Sequence, residues 1–197
     1  MGVTDMQQTG QVIWHKQDLL RNMTTYKFKK MVANGDLQRI RTGIYIYRDS
    51  VEPDNDMLLV QQFFPNAIFS IFTAANFHNL TTVIPRTVQI TLPSNGTRRL
   101  AMPDYPAIEI FFSNEKTISL GLEKIDIEGQ TVNIYNRERT VCDMFRYLNR
   151  TGIDTAIEVF KNYMLDIRTR DINLLLNYAK QLRVYKYISQ YVEVTVA

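Results

Sequence analysis

Thr24, Thr25, Tyr26, Lys27, Lys29 and Lys30 put six hydroxyl or ammonium groups into TTYKFKK, and Arg39 and Arg41 follow in LQRIRTG. Side chains of these types hydrogen-bond to phosphate oxygens and neutralise them, the contacts that set position and most of the affinity on a nucleic acid. The charge is local. Residues 1–50 hold eight basic and four acidic groups, net +4, whereas 51–197 hold fifteen and sixteen, net −1. That asymmetry points to a polyanionic partner for the first quarter of the chain. A single surface lysine is usually only solvated; the clustering is what argues for contact.

Patterns that would do catalysis are missing. His15 and His78 are the only histidines and Cys142 the only cysteine, so neither histidine has a ligand at metal spacing and no internal disulfide forms. There is no GxxxxGK phosphate loop and no GxGxxG. Many metal-dependent nucleases need an acidic residue two places before a lysine. Here that offset holds Trp14, Thr25, Lys27, Phe28, Asn114, Leu122, Val159, Tyr178 and Val184, none of them acidic. The expectation is a protein with no catalytic, cofactor or metal site. One cysteine fits a reducing cytoplasm. The first residues lack the basic start and apolar run of a signal peptide, and no apolar run reaches membrane-spanning length. A cytoplasmic protein without a membrane partner is expected.

Helices and a hairpin must position the basic cluster. The spacing predicts a helix over 13–22 with Leu19 and Leu20 inward and Trp14 as its anchor. A turn at Met23-Thr24 follows, then a helix capped by Thr24 whose Phe28, Met31 and Val32 form one buried stripe. Gly35 ends it by taking left-handed dihedrals. LQRI and IYIY then flank Arg41-Thr42-Gly43 as a hairpin. Two helices and a two-stranded wing form the layout of a winged helix-turn-helix, whose second helix enters the major groove. With the stripe inward, Thr25, Tyr26 and Lys29 face out, with Lys27 and Lys30 at the margin, and Arg39 and Arg41 sit on the hairpin near flanking phosphates.

DSVEPDNDM (49–57) marks a short boundary, giving a DNA-binding domain over 1–48, a linker over 49–57 and an α+β domain over 58–197. In the latter, 57–65 and 69–80 read as helices. RTVQITLP and AIEIFF alternate as half-buried strands, and KIDIEGQTVNIY reads as a hairpin around Gly129-Gln130. Asn136 caps a helix with Val141, Met144, Phe145 and Leu148 on one face, and a helix over 153–164 follows Gly152. Thr169 or Asp171 caps the next helix, and the last segment reads as helix or strand. The fold class is α+β: an N-terminal winged helix-turn-helix, then a mixed domain with a β-rich middle and a C-terminal helical bundle.

On these residues the chain resembles the AbiEi-type antitoxins of bacterial abortive-infection (type IV) toxin–antitoxin systems. The likeness runs from TTYKFKKMVANGDL and QRIRTGIYIY through FSIFTAANFHNLT, Pro85, VQITLP, the glycine at 121 and TVNIY. It is sharpest at Arg137-Glu138-Arg139-Thr140 with Asp143, an E-R-T-x-x-D opening a helix. The resemblance implies an antitoxin that counters a nucleotidyltransferase-like toxin without a stable complex and represses its own operon by binding promoter DNA. For Arg137, Glu138, Arg139, Thr140 and Asp143 two roles stand open. One is a buried arginine–carboxylate pair that orders the helix against a sheet; the other is a surface for the toxin or its RNA substrate. The competing functions are a winged-helix regulator whose C-terminal domain senses a ligand or oligomerises, and an enzyme or nuclease with a DNA-targeting head.

Overall fold

The structure, a computed structural model, describes residues 13–48, 56–94, 100 and 102–196. Among them the fold is mixed α+β, with ten helices and two sheets. The chain opens with β1 (Trp14–His15), α1 (Lys16–Asn22), α2 (Thr25–Asn34), β2 (Leu37–Arg41) and β3 (Ile44–Tyr47). The strands form a three-stranded sheet in the order β1-β3-β2.

Two expectations for this region change. Trp14 and His15 are not helical but pair antiparallel with Tyr45 and Ile44. Trp14 therefore anchors the sheet, edge-on to Tyr47 with ring centroids 6.2 Å apart, and α1 starts only at Lys16. In α2, Phe28 is buried and Met31 half-buried, but Val32 is 36% exposed. The helix rests on the sheet along one line, through Phe28 against the Tyr45 ring at 5.0 Å, so the apolar stripe is narrower than its spacing suggests.

Residues 49–55 of the expected linker lie outside the described residues, and its last two, Asp56 and Met57, already belong to α3 (Asp56–Phe63). Leu59 and Phe63 of α3 share one apolar cluster with Ile13, Ile40, Ile44 and Ile46. The Ile13 N–H donates to Gln62 Oε1 at 3.2 Å, and the Asp104 N–H to the Ile40 carbonyl at 2.7 Å. The first sheet is thus packed on α3 and hydrogen-bonded both to that helix and to the segment around Asp104.

The second sheet holds β4 (Ile68–Phe69), β5 (Val88–Pro93), β6 (Ile108–Ser113), β7 (Leu122–Ile127) and β8 (Gln130–Tyr135) in the order β6-β5-β4-β8-β7. Pairs β5–β6 and β4–β8 are parallel, the others antiparallel. The helix expected from Phe69 begins as β4; after Ser70 the chain turns into α4 (Ile71–Phe77). β5 is buried on both faces, not one, because it is an interior strand. Its polar residues are satisfied. Gln89 Oε1 accepts from the Phe72 N–H at 2.8 Å, and Thr91 Oγ1 donates to Ser70 Oγ at 2.9 Å. The β7–β8 turn sits one residue earlier than expected, at Glu128-Gly129, both with positive φ (52° and 77°) as a tight hairpin turn requires.

The remaining helices are α5 (Glu115–Ile118), α6 (Arg137–Arg146), α7 (Leu148–Thr151), α8 (Ile153–Leu165), α9 (Ile172–Gln181) and α10 (Tyr185–Val196). Asn136 caps α6, accepting from the Arg139 N–H at 2.9 Å. Asp171, not Thr169, caps α9, accepting from the Leu174 N–H at 2.9 Å. The last segment is helix, with Ile188 and Val192 inward. The helix expected to run through Leu148 breaks at Tyr147. Nor does α6 have one buried face: every residue from Glu138 to Phe145 is buried, because α4, α8, α9 and α10 pack around it.

Candidate nucleic-acid interface

Thr24 closes the free end of α2. Its Oγ1 accepts from the Lys27 N–H at 3.3 Å, satisfying one of the amides that no carbonyl reaches at a helix start. Gly35 closes the other end at φ 80°, where a Cβ would also run into the Arg48 guanidinium. Between these caps Phe28 is held by Tyr45 and covered by Lys16, whose ammonium lies 5.7 Å from the ring centroid. Leu19, Leu37, Trp14 and Tyr47 complete the core beneath.

With that face fixed, the expected contact residues fall outside it. Thr24, Thr25, Tyr26, Lys27, Lys29 and Lys30 are all exposed. Tyr26 is 77% exposed. At 100° per residue Tyr26 and Lys30 stand most nearly opposite Phe28, so Lys30 is not at the margin as expected; Lys27 and Lys29 flank them on either side, and Thr25 lies towards the Phe28 side of the helix. On the hairpin, Arg39 is exposed opposite Tyr45, just before a register shift between Arg39 and Arg41. Arg41 is half-buried and lines a cleft of about 510 Å³ together with Lys16 and Thr42. Residues 13–48 carry eight basic and two acidic side chains, a net +6. Asp18 is engaged by Arg21 at 3.0 Å, and among the described residues no ion pair involves Lys27, Lys29, Lys30 or Arg39. Lys16, beside the hairpin turn with its N–H on the Gly43 carbonyl at 2.8 Å, joins this basic surface. Its position in sequence carried no signal of that.

The second expected cluster lies elsewhere and is built differently. Arg139 and Asp143 are each 1% exposed, with Arg139 Nε donating to Asp143 Oδ2 at 2.9 Å. Arg139 Nη1 donates to the Thr117 and Leu120 carbonyls at 2.6 and 3.0 Å, and the guanidinium lies 4.2 Å from the Tyr135 ring centroid. Gly121, at φ 72°, makes room: a Cβ there would stand 2.5 Å from Arg139 Cβ and 2.7 Å from Asn136 Oδ1. Glu138 accepts from the Tyr163 hydroxyl at 2.9 Å, and that oxygen accepts from the Asp171 N–H at 2.8 Å. Thr140 Oγ1 donates to the Tyr135 carbonyl at 3.4 Å. Arg137, nearer the surface, donates to Asp166 Oδ2 at 2.7 Å and to Thr169 Oγ1.

Burial pushes the Asp143 carboxyl up, against the pull of Arg139. Burial works most strongly against the Arg139 charge, but Asp143 and Tyr135 beside it together outweigh this and raise the group. Tyr163 is pushed up by burial and by Glu138, and Cys142 by burial. Arg139 and Asp143 thus meet no solvent and tie α6 to the turn around α5. Tyr135, Tyr163, Thr117 and Leu120, which complete this network, left no mark in the local pattern.

Among the described residues no group of three or more His, Cys, Asp and Glu could hold a metal ion, and no helix is long and apolar enough to cross a membrane. No family model matches the chain, and no curated protein does. Among solved structures, the crystal structure of the Rv2827c protein from Mycobacterium tuberculosis is similar in fold. Its TM-score is 0.63 at 12% identity, over 90% of this chain and 69% of that one.

Proposed function

We propose that this chain binds double-stranded promoter DNA through α2 and the β2–β3 hairpin, acting as a winged helix-turn-helix. In this reading it represses its own operon and serves as the antitoxin to a nucleotidyltransferase-like toxin. The supporting observation is the outer side of α2. Tyr26, Lys29 and Lys30 stand exposed on a helix packed on the sheet through Phe28, with Arg39 exposed on the hairpin. Paired or buried lysines would do structural work; these have no ion-pair partner among the described residues. A helix of ten residues fits a major groove about 12 Å wide, and the hairpin arginine reaches the flanking backbone. The antitoxin role rests on the AbiEi-type resemblance, above all on E-R-T-x-x-D. The chain itself is assigned no catalysis.

Fluorescence anisotropy with a duplex from the upstream intergenic region tests the DNA half. If about five phosphates are neutralised, log affinity falls against log salt with a slope of about −4 to −5; a flat response removes the proposal. Co-expression with the adjacent gene tests the other half. If that product arrests growth and this chain does not restore it, the antitoxin role is wrong.

A further inference from the structure

Resting on the DNA-binding reading, we propose that Tyr26 is the residue with which α2 reads sequence, and that it reads thymine. Every other phenylalanine, tyrosine or tryptophan ring in residues 13–48 is used by the core: Trp14, Phe28, Tyr45 and Tyr47 are all below 9% exposed. Tyr26 is 77% exposed, and among the described residues no ring or cation stacks on it. It stands on an ordered helix, with Lys29 and Lys30 three and four residues on, hence on the same side.

The composition of α2 narrows what this face can recognise. Arginine and lysine pair with guanine, and asparagine and glutamine with adenine, as the usual polar base contacts. α2 contains no arginine or glutamine, and its one asparagine, Asn34, is its last residue. The three lysines offer charge, to phosphates or to guanine, but no apolar surface; the Thr24 hydroxyl oxygen is committed to the helix start, and Thr25 lies towards the Phe28 side of the helix. That leaves the tyrosine ring as the large apolar surface offered to the groove floor. The apolar group displayed there is the C5-methyl of thymine. The contact is ring against methyl, and the two lysines hold the helix in register on the backbone.

Deoxyuridine in place of thymine keeps base pairing and removes only that methyl, so the contact can be tested as a cycle between protein and DNA. The probe is the upstream duplex with thymine or with deoxyuridine throughout, measured with the wild-type chain, Tyr26→Phe, Tyr26→Ala and Lys29→Ala. Wild type and Tyr26→Phe should each lose about fourfold in affinity per contacted thymine, the worth of one buried methyl at about 0.8 kcal/mol. Tyr26→Ala should bind both duplexes alike. Its preference for the upstream fragment over an unrelated duplex should fall about tenfold, with the salt slope unchanged. Lys29→Ala should keep the methyl sensitivity and reduce the salt slope by about one. Wild-type binding that ignores the methyl, or Tyr26→Ala binding that still senses it, overturns the assignment and leaves DNA binding standing. No binding of any duplex removes both.

Discussion

α2 and α6 are each ten residues long and each carries charge every few positions, yet one leaves its charges in water and the other buries Glu138, Arg139 and Asp143. In α6 the buried charges are matched: Arg139 meets Asp143, and Glu138 meets the Tyr163 hydroxyl. In α2, Lys27, Lys29 and Lys30 have no ion pair among the described residues. A buried ion is tolerated only when paired, because leaving water costs several kcal/mol. An exposed ion carries no such demand and is free for a partner. Charged side chains therefore stand in opposite settings in the two helices, and mutations should separate stability from binding along this line.

The largest effect is expected at Arg139. Arg139→Ala leaves Asp143 buried with only the longer ion pair to Arg146 at 3.9 Å and should cost about 3–5 kcal/mol, a large part of a typical total of about 5–15. Urea unfolding measures it, and a neutral result would erase the contrast with α2. Replacing both partners by apolar residues of similar volume should recover much of the loss. Phe28→Ala should also cost about 3–5 kcal/mol. If it melts like the wild type but binds DNA poorly, the two faces of α2 are assigned backwards.

Lys29→Ala and Arg39→Ala should behave the other way. Melting should move by no more than about 0.5 kcal/mol, while anisotropy should show weaker DNA binding. A destabilised Lys29 variant would place that lysine in the fold after all.

The smallest effect concerns His78. Burial lowers its pKa, and its Nε2–H donates to the Tyr135 carbonyl at 2.7 Å. The unfolded chain takes up the proton first, so stability should be level above the ordinary value of 6.5 and decline as pH falls from there towards the lower folded value. Unfolding curves at stepped pH check the sign, and His78→Gln should flatten the slope.

Much of the local structure was legible because its causes act within one turn. Thr24, Asn136 and Asp171 each accept from an amide three residues on, and Gly35 supplies the left-handed end of α2. The outward set on α2 is read from the stripe Phe28, Met31 and Val32, and Tyr26 and the lysines are exposed although Val32 is exposed as well. For α6 the same reasoning failed. Periodicity assigns one buried side, but a helix with neighbours all round has none to spare, and Glu138, Arg139 and Asp143 became core residues.

The amino-acid order by itself determined where most helices begin, which side of α2 carries cations, and that the positive excess sits in the first quarter, because capping, spacing and charge are short-range properties. Only the tertiary structure decided that Trp14 is a strand residue paired with Tyr45, that β5 is covered on both faces, and that Val32 stays exposed. Each depends on a surface supplied by chain far away in sequence. The same holds for Arg139, whose carbonyl partners lie nineteen and twenty-two residues back: the charge is written locally, but whether it is a strut or a contact is settled by what packs against it.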